Sequence, residues 1–199
     1  ATTELESNVL NQGILAEQVK AVYKQSINAF VGNALGAVIL SFVLWDIKDH
    51  SLVALWLSAL CTILFLRLVL FRLHKQKKKY KISNQTWLNM FMQASFISGA
   101  LWGAAGYLFL SSDTSLYNAI ITIFILAIST GGLIGYAANL KVALSFFLPC
   151  MLPLIISLLT LNDPIYSWIG IGLFAFVIFA PVTLLQIHKW IIQAIQTNM

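Results

Sequence analysis

Six polar side chains interrupt the apolar runs of this chain at positions that could carry chemistry: Asn33, Arg67, Asn89, Gln93, Ser129 and Thr130. Counted from the nearer end of its own run, each of Asn33, Arg67 and Gln93 lies about 9 Å from one boundary at 1.5 Å per residue. Asn89 stands one helical turn from Gln93 on the same face, and Ser129 with Thr130 approach the same level from a fourth run. A guanidinium, amides and hydroxyls at one depth form a candidate ligand or switch layer, able to hydrogen-bond a headgroup or to exchange between two arrangements. The plainer alternative is that they bond neighbouring helices while Arg67 reaches the lipid headgroups.

Other chemistries are disfavoured. No Asp or Glu lies inside the runs, so an ion or proton relay lacks its groups. No lysine stands mid-run for a Schiff base. His50, His74 and His188 fall at run ends on two different sides, which argues against a paired haem or metal site. Nucleophile and base constellations are missing. The expectation is a non-enzymatic segment with no cofactor, no metal and no nucleic-acid partner.

The elements that must position these residues are membrane helices. With 59% hydrophobic and 10% charged residues and a mean hydropathy of +0.85, the chain exceeds what a soluble domain can carry on its surface. Runs long enough to cross hydrocarbon cover residues 27–45, 52–73, 87–110, 117–138, 142–161 and 165–189. The predicted fold is all-α, a polytopic bundle of six transmembrane helices in contact with the lipid bilayer. The loops "DIKDHS", "SSDTS" and "NDP" hold four of the seven acidic residues, whereas "HKQKKKYK" and "NLK" carry lysines. By the positive-inside rule the lysine loops and both termini face the cytoplasm, with Lys48 alone among the basic residues outside.

Three segments follow. Residues 1–26 read as a cytoplasmic amphipathic helix, with Leu15, Val19 and Val22 on one face and Glu17, Lys20 and Lys24 on others. It either anchors at the interface or packs on a partner chain or the output segment. Residues 27–189 form the six-span domain. Residues 190–199 begin a signalling helix: beyond Pro181 the pattern runs through Ile187, Ile191, Ala194 and Asn198 with no stop signal.

Small residues mark expected helix contacts at Gly32 and Gly36, Gly99 and Gly103, and Gly131 and Gly135, each pair with three residues between. Gly99, Gly103 and Gly131 are the favoured contact positions. In "FFLPCMLPL", Pro149 and Pro153 remove amide donors and should bend the fifth span, giving, with Pro181, three candidate hinges. Trp102, Tyr107, Phe146 and Phe147 are candidate pocket walls for a small hydrophobic or amphiphilic ligand. Cys61 and Cys150, near mid-span, read as small apolar side chains.

The segments "VYKQSINAFVGN", "SGALWGAAGYLF", "GGLIGYAA" and "FFLPCMLPL" occur in an order that resembles the MASE-like six-helix sensory region at the N-terminus of bacterial sensor histidine kinases and GGDEF diguanylate cyclases. The likeness covers nearly the whole chain. It implies a sensory input module in the bacterial inner membrane, working as a homodimer. It also implies a cytoplasmic output domain in the full-length protein, a histidine kinase or alternatively a diguanylate cyclase. A small transporter or channel component, or a membrane scaffold subunit, is the rival reading.

Overall fold

The computed structural model describes residues 2–111 and 115–197, and its regular elements there are all helices. In chain order they are α1 (Thr2–Trp45), α2 (His50–Lys75), the single-turn α3 (Lys77–Tyr80), α4 (Asn84–Phe109), α5 (Ser115–Gly135), α6 (Leu140–Thr160) and α7 (Pro164–Thr197). The outer turn expected around Asp113 and the end of the last helix at Asn198 lie outside the described residues. Helix starts follow local chemistry: side-chain oxygens of Asp49, Ser83 and Asn139 accept the amides of Leu52 (3.0 Å), Thr86 (3.1 Å) and Val142 (3.3 Å), the donors a first turn leaves open.

Five helices are long and apolar enough to cross a membrane: α1 from Leu10 onward, α2, α5, α6 and α7. The multi-pass character read from composition is therefore present. Helix α4 has the length, at 26 residues, but starts with "NQTWLN". Buried residues run along α4 from Trp87 through Phe91, Ser95, Trp102 and Gly106 to Phe109, and it packs against α1, α2, α5 and α6. Its polar side chains lie on the other face, where Gln85, Thr86, Asn89 and Gln93 are exposed.

Paired contacts give the directions. Tyr23 with Trp87 and Asn33 with Trp102 run α1 parallel to α4. His74 with Trp87 and Trp56 with Phe109 run α2 antiparallel to it. Helix α7 is peripheral, packing chiefly on α6 through a narrow face of Tyr166, Gly170, Leu173, Val177, Ala180 and Leu184. Its other faces expose Trp168, Phe174, Phe179 and Trp190.

The boundary expected at residues 26–27 is not a break, because α1 is one continuous helix of 44 residues. At 1.5 Å per residue it extends about 66 Å, roughly twice a hydrocarbon core. Val19 and Val22, on the stripe read as amphipathic, are buried against the bundle, as is Tyr23, while Lys20 pairs with Glu17 in the open (3.0 Å). Pro149 and Pro153 lie within the unbroken α6, and Pro181 within the unbroken α7.

Candidate ligand and switch site

Arg67 occupies the seam between α2 and α4. It stands about two turns inside the C-terminal end of α2, and there it is buried, with 4% of its surface exposed. Burial at that depth is expensive unless the guanidinium finds partners. Its Nη2 donates to the hydroxyl of Tyr136 and its Nη1 lies 3.5 Å from Ser98 Oγ. The cation also faces the rings of Phe91 (5.2 Å) and Tyr136 (5.5 Å), an attraction to the π-cloud. Arg67 therefore turns into the bundle rather than toward headgroups.

Asn33 makes a separate contact. Its Oδ1 accepts from Trp102 Nε1 at 2.7 Å, and its Nδ2 donates to the Ala29 carbonyl at 2.7 Å. Trp56, edge-on to Trp102, donates its own Nε1 to the Leu101 carbonyl (2.8 Å). These two indole N–H groups, of Trp102 and Trp56, are thus satisfied inside the bundle, as buried donors require.

The remaining polar residues divide between surface and core. Asn89 is exposed and accepts from Gln85 (3.0 Å). Gln93 is also exposed and lines a groove of about 420 Å³ with Met92, Phe96, Ile97 and Ser145. Ser129 is buried and bonds the Leu126 carbonyl (3.0 Å) and Met151 Sδ (3.1 Å), while Thr130 is half-buried. The structure joins neither Arg67 to Asn33 nor either of them to Asn89 and Gln93.

Trp102, Phe146 and Phe147 are fully buried packing residues, whereas Tyr107 is 61% exposed on the outer surface of α4. The glycines also divide. A Cβ at Gly99 or Gly103 would overlap the carbonyl oxygen of Phe146 or Pro149, and one at Gly36 would come within 3.1 Å of Ile128. At Gly135 the nearest group is Gln25, at 3.4 Å, and at Gly32 and Gly131 nothing lies within 4 Å. Gly32 and Gly131 instead line a groove of about 270 Å³ between α1 and α5, alongside Gln25, Asn28 and Asn33. Close contacts also arise at Gly106, against Leu154 and Ile125, at Gly132, against the Phe146 ring, and at Gly170, against Leu159.

Below Arg67, toward the lysine-rich end, the seam continues as an aromatic box. Tyr23 stacks on His74 with ring centroids 3.9 Å apart, stands edge-on to Trp87 and Phe91, and donates its hydroxyl to the Trp87 carbonyl (3.1 Å). Residues Tyr23, Trp87, Ser98 and Tyr136 were not singled out as site residues by sequence reasoning. One available signal was spacing: 87, 91, 95 and 98 fall on one face of α4, and 67 and 74 on one face of α2.

The same end holds both long helices. Asn139, in the turn after α5, donates to Gln18 Oε1 of α1 (3.3 Å), and the Ala137 carbonyl accepts from Nδ1 of His188 on α7 (2.9 Å). Tyr136, which contacts Arg67, is the residue preceding Ala137.

No family model, curated protein or solved structure matches this chain.

Proposed function

We propose that the chain is a six-span sensory input module of a bacterial inner-membrane signalling protein, with α4 as the span beyond the five apolar ones. The observation that carries this reading is the short covalent and hydrogen-bonded path from Arg67 through Tyr136 and Ala137 to His188 on α7. A change at Arg67, inside the bundle, moves Tyr136, and the next residue holds the helix that leaves the bundle. Transport would favour ionisable side chains lining a route across the membrane. Here the contacts of Asn139 and Ala137 lie at one end and reach the two longest helices.

On this reading the lysine-rich end is cytoplasmic, the module works as a homodimer, and α7 drives a histidine kinase or diguanylate cyclase domain, as the resemblance implies. Two arrangements of the Tyr136–Asn139 turn, unequal in their hold on α7, constitute the switch. A stimulus acts by preferring one of them.

The test is a fusion of α7 to a reporter kinase or cyclase, assayed in membranes, with one to four residues inserted at the junction. A sensor that transmits helix rotation gives activity that varies with insert length, since each residue turns the helix by about 100°. Activity independent of insert length would favour the transporter or scaffold reading.

A further inference from the structure

Among the described residues no acidic side chain pairs with Arg67. Glu17 is engaged by Lys20 on the surface, and Asp46, Asp49 and Asp163 stand at helix ends on the opposite side of the bundle. Among the described residues the guanidinium meets only the hydroxyls of Ser98 and Tyr136 and two aromatic faces. Neutral hydroxyls satisfy a cation less well than an anionic oxygen does.

A second observation points the same way. Ser95 is fully buried and its Oγ has no hydrogen-bond partner. It stands between Phe91 and Ser98 on one face of α4, and both of those residues contact Arg67. The orphan hydroxyl therefore shares the α4 face whose flanking residues meet the guanidinium. Farther along the seam, Trp87 Nε1 is a buried donor that also lacks a partner. Such unpaired groups are rare in native interiors and each needs a reason. Here an uncompensated cation and unused donors share one seam.

We propose that the α2–α4 seam is a receptor for an anionic oxygen, a carboxylate or a phosphate, gripped by Arg67 with the hydroxyls of Ser95 and Ser98. The site's depth, roughly two turns below a membrane boundary, suits the head of an acidic amphiphile. A free phosphate entering from the cytoplasm offers the same chemistry. Because Arg67 is nearly enclosed, the anion enters a state in which α2 and α4 have parted around it, and stabilises that state by its differential affinity. Within it the anion displaces the Tyr136 hydroxyl from Arg67. Resting on the sensor reading, this release would loosen the Ala137–His188 contact and supply the signal.

The experiment uses the full chain fused to its reporter in phosphatidylcholine nanodiscs. Oleate, oleyl alcohol and inorganic phosphate are titrated separately while the thermal unfolding midpoint and reporter output are read. A saturable rise of the midpoint is expected with oleate, phosphate or both, since a ligand of the folded state stabilises it, and none with oleyl alcohol. A response to oleate alone identifies an amphiphile, and a response to phosphate identifies a headgroup or aqueous anion. Arg67→Gln should abolish the rise, Arg67→Lys should weaken it, and Ser95→Ala should reduce apparent affinity about tenfold, as loss of a hydrogen bond to a charged group does. A wild type that responds saturably to neither anion, or equally in Arg67→Gln, overturns the proposal. If Arg67→Gln does not fold, unchanged affinity in Ser95→Ala overturns it instead. Saturable binding with unaltered output supports the receptor and removes the sensor reading. Output that responds to insert length but to neither anion leaves the sensor and removes the receptor.

Discussion

The carbonyl oxygen of Pro149 sits where the side chain of residue 103 would begin, so Gly103 is, with Gly99, a point at which α4 and α6 approach backbone contact. The prolines of α6 account for what lies there. A carbonyl in a helix ordinarily accepts from the amide four residues on, and for Pro149 that residue is Pro153, which has no N–H. The freed oxygen turns to the Cα side of Gly103, where C–H···O contact is available. One turn away the carbonyl of Phe146 comes equally close to Gly99, although Cys150, four residues on, keeps its N–H. Glycines and prolines that read in sequence as separate packing and hinge devices are parts of one interface.

Gly103→Ala should therefore destabilise the bundle by about 1–3 kcal/mol, the range for overpacking a tight contact, and Gly103→Leu should abolish folding. Gly131→Ala should be neutral within error, because nothing lies within 4 Å of the added methyl group. Thermal unfolding in mild detergent measures both. Equal loss at 103 and 131 would remove the interface argument.

The comparison of Gly103 with Gly131 shows what could be read from the sequence. Helix type, span limits and the existence of small-residue contacts follow from composition and period, which are local. Which face of a helix meets protein and which meets lipid depends on partners distant in sequence, so Gly131 and Tyr107 read as interior although both are exposed. Arg67 was legible as an oddity because charge in an apolar run is costly wherever it points. Tyr136 was not, since a tyrosine near a span end has an ordinary place at the membrane interface. The role of residues 1–26 was open for a related reason: an apolar stripe of 15, 19 and 22 fits a lipid surface and a protein surface equally, and here Val19 and Val22 are buried against protein.

The Asn33–Trp102 hydrogen bond ties α1 to α4 with both partners buried. Trp102→Phe strands the Asn33 carbonyl oxygen and Asn33→Leu strands the indole N–H, so each should cost about 1–3 kcal/mol. The double variant should cost less than the sum, because two orphaned groups disappear together. Strict additivity in a double-mutant cycle would show that the bond contributes nothing.

At the opposite end, Asp49 caps α2. The amides of Leu52 and then Ser51 hold its carboxyl below the usual carboxylate range. A depressed folded pKa adds stability that is present above the unfolded value, about 3.9, and that fades as pH falls through the folded one. Amide exchange in the first turn of α2 should accelerate relative to the helix centre on acidification below about pH 4. Asp49→Asn, which keeps an acceptor without the titration, should flatten that dependence. An identical acid response in the two proteins would assign it elsewhere.

The lysines predict an orientation that labelling can test. A cysteine at position 79 should react with an impermeant maleimide only after the membrane is opened, and one at position 48 should react from outside, both in a Cys61→Ser, Cys150→Ala background. Cys150 is buried and Cys61 is exposed on the bundle surface, so replacing them leaves the loop probes as the reactive thiols. Labelling of position 79 in intact cells would invert the topology and place the Tyr136–Asn139 turn outside.

The contact between His188 and the Ala137 carbonyl makes the last prediction, because it is where the bundle holds α7. His188→Ala removes the donor, and Tyr136→Phe removes the hydroxyl that accepts from Arg67 one residue earlier in the chain. If the turn passes the state of Arg67 to α7, both variants should shift the basal activity of a fused reporter, each by about three- to tenfold, the range of a single hydrogen bond's net contribution of about 0.7–1.4 kcal/mol. They act on one path, so the double variant should resemble the stronger single one instead of multiplying the two effects. His188→Gln, which can still donate to the carbonyl, should restore most of the wild-type activity. Multiplicative effects of His188→Ala and Tyr136→Phe would mean that the two residues influence the reporter independently, and the path through the Tyr136–Asn139 turn would have to be abandoned.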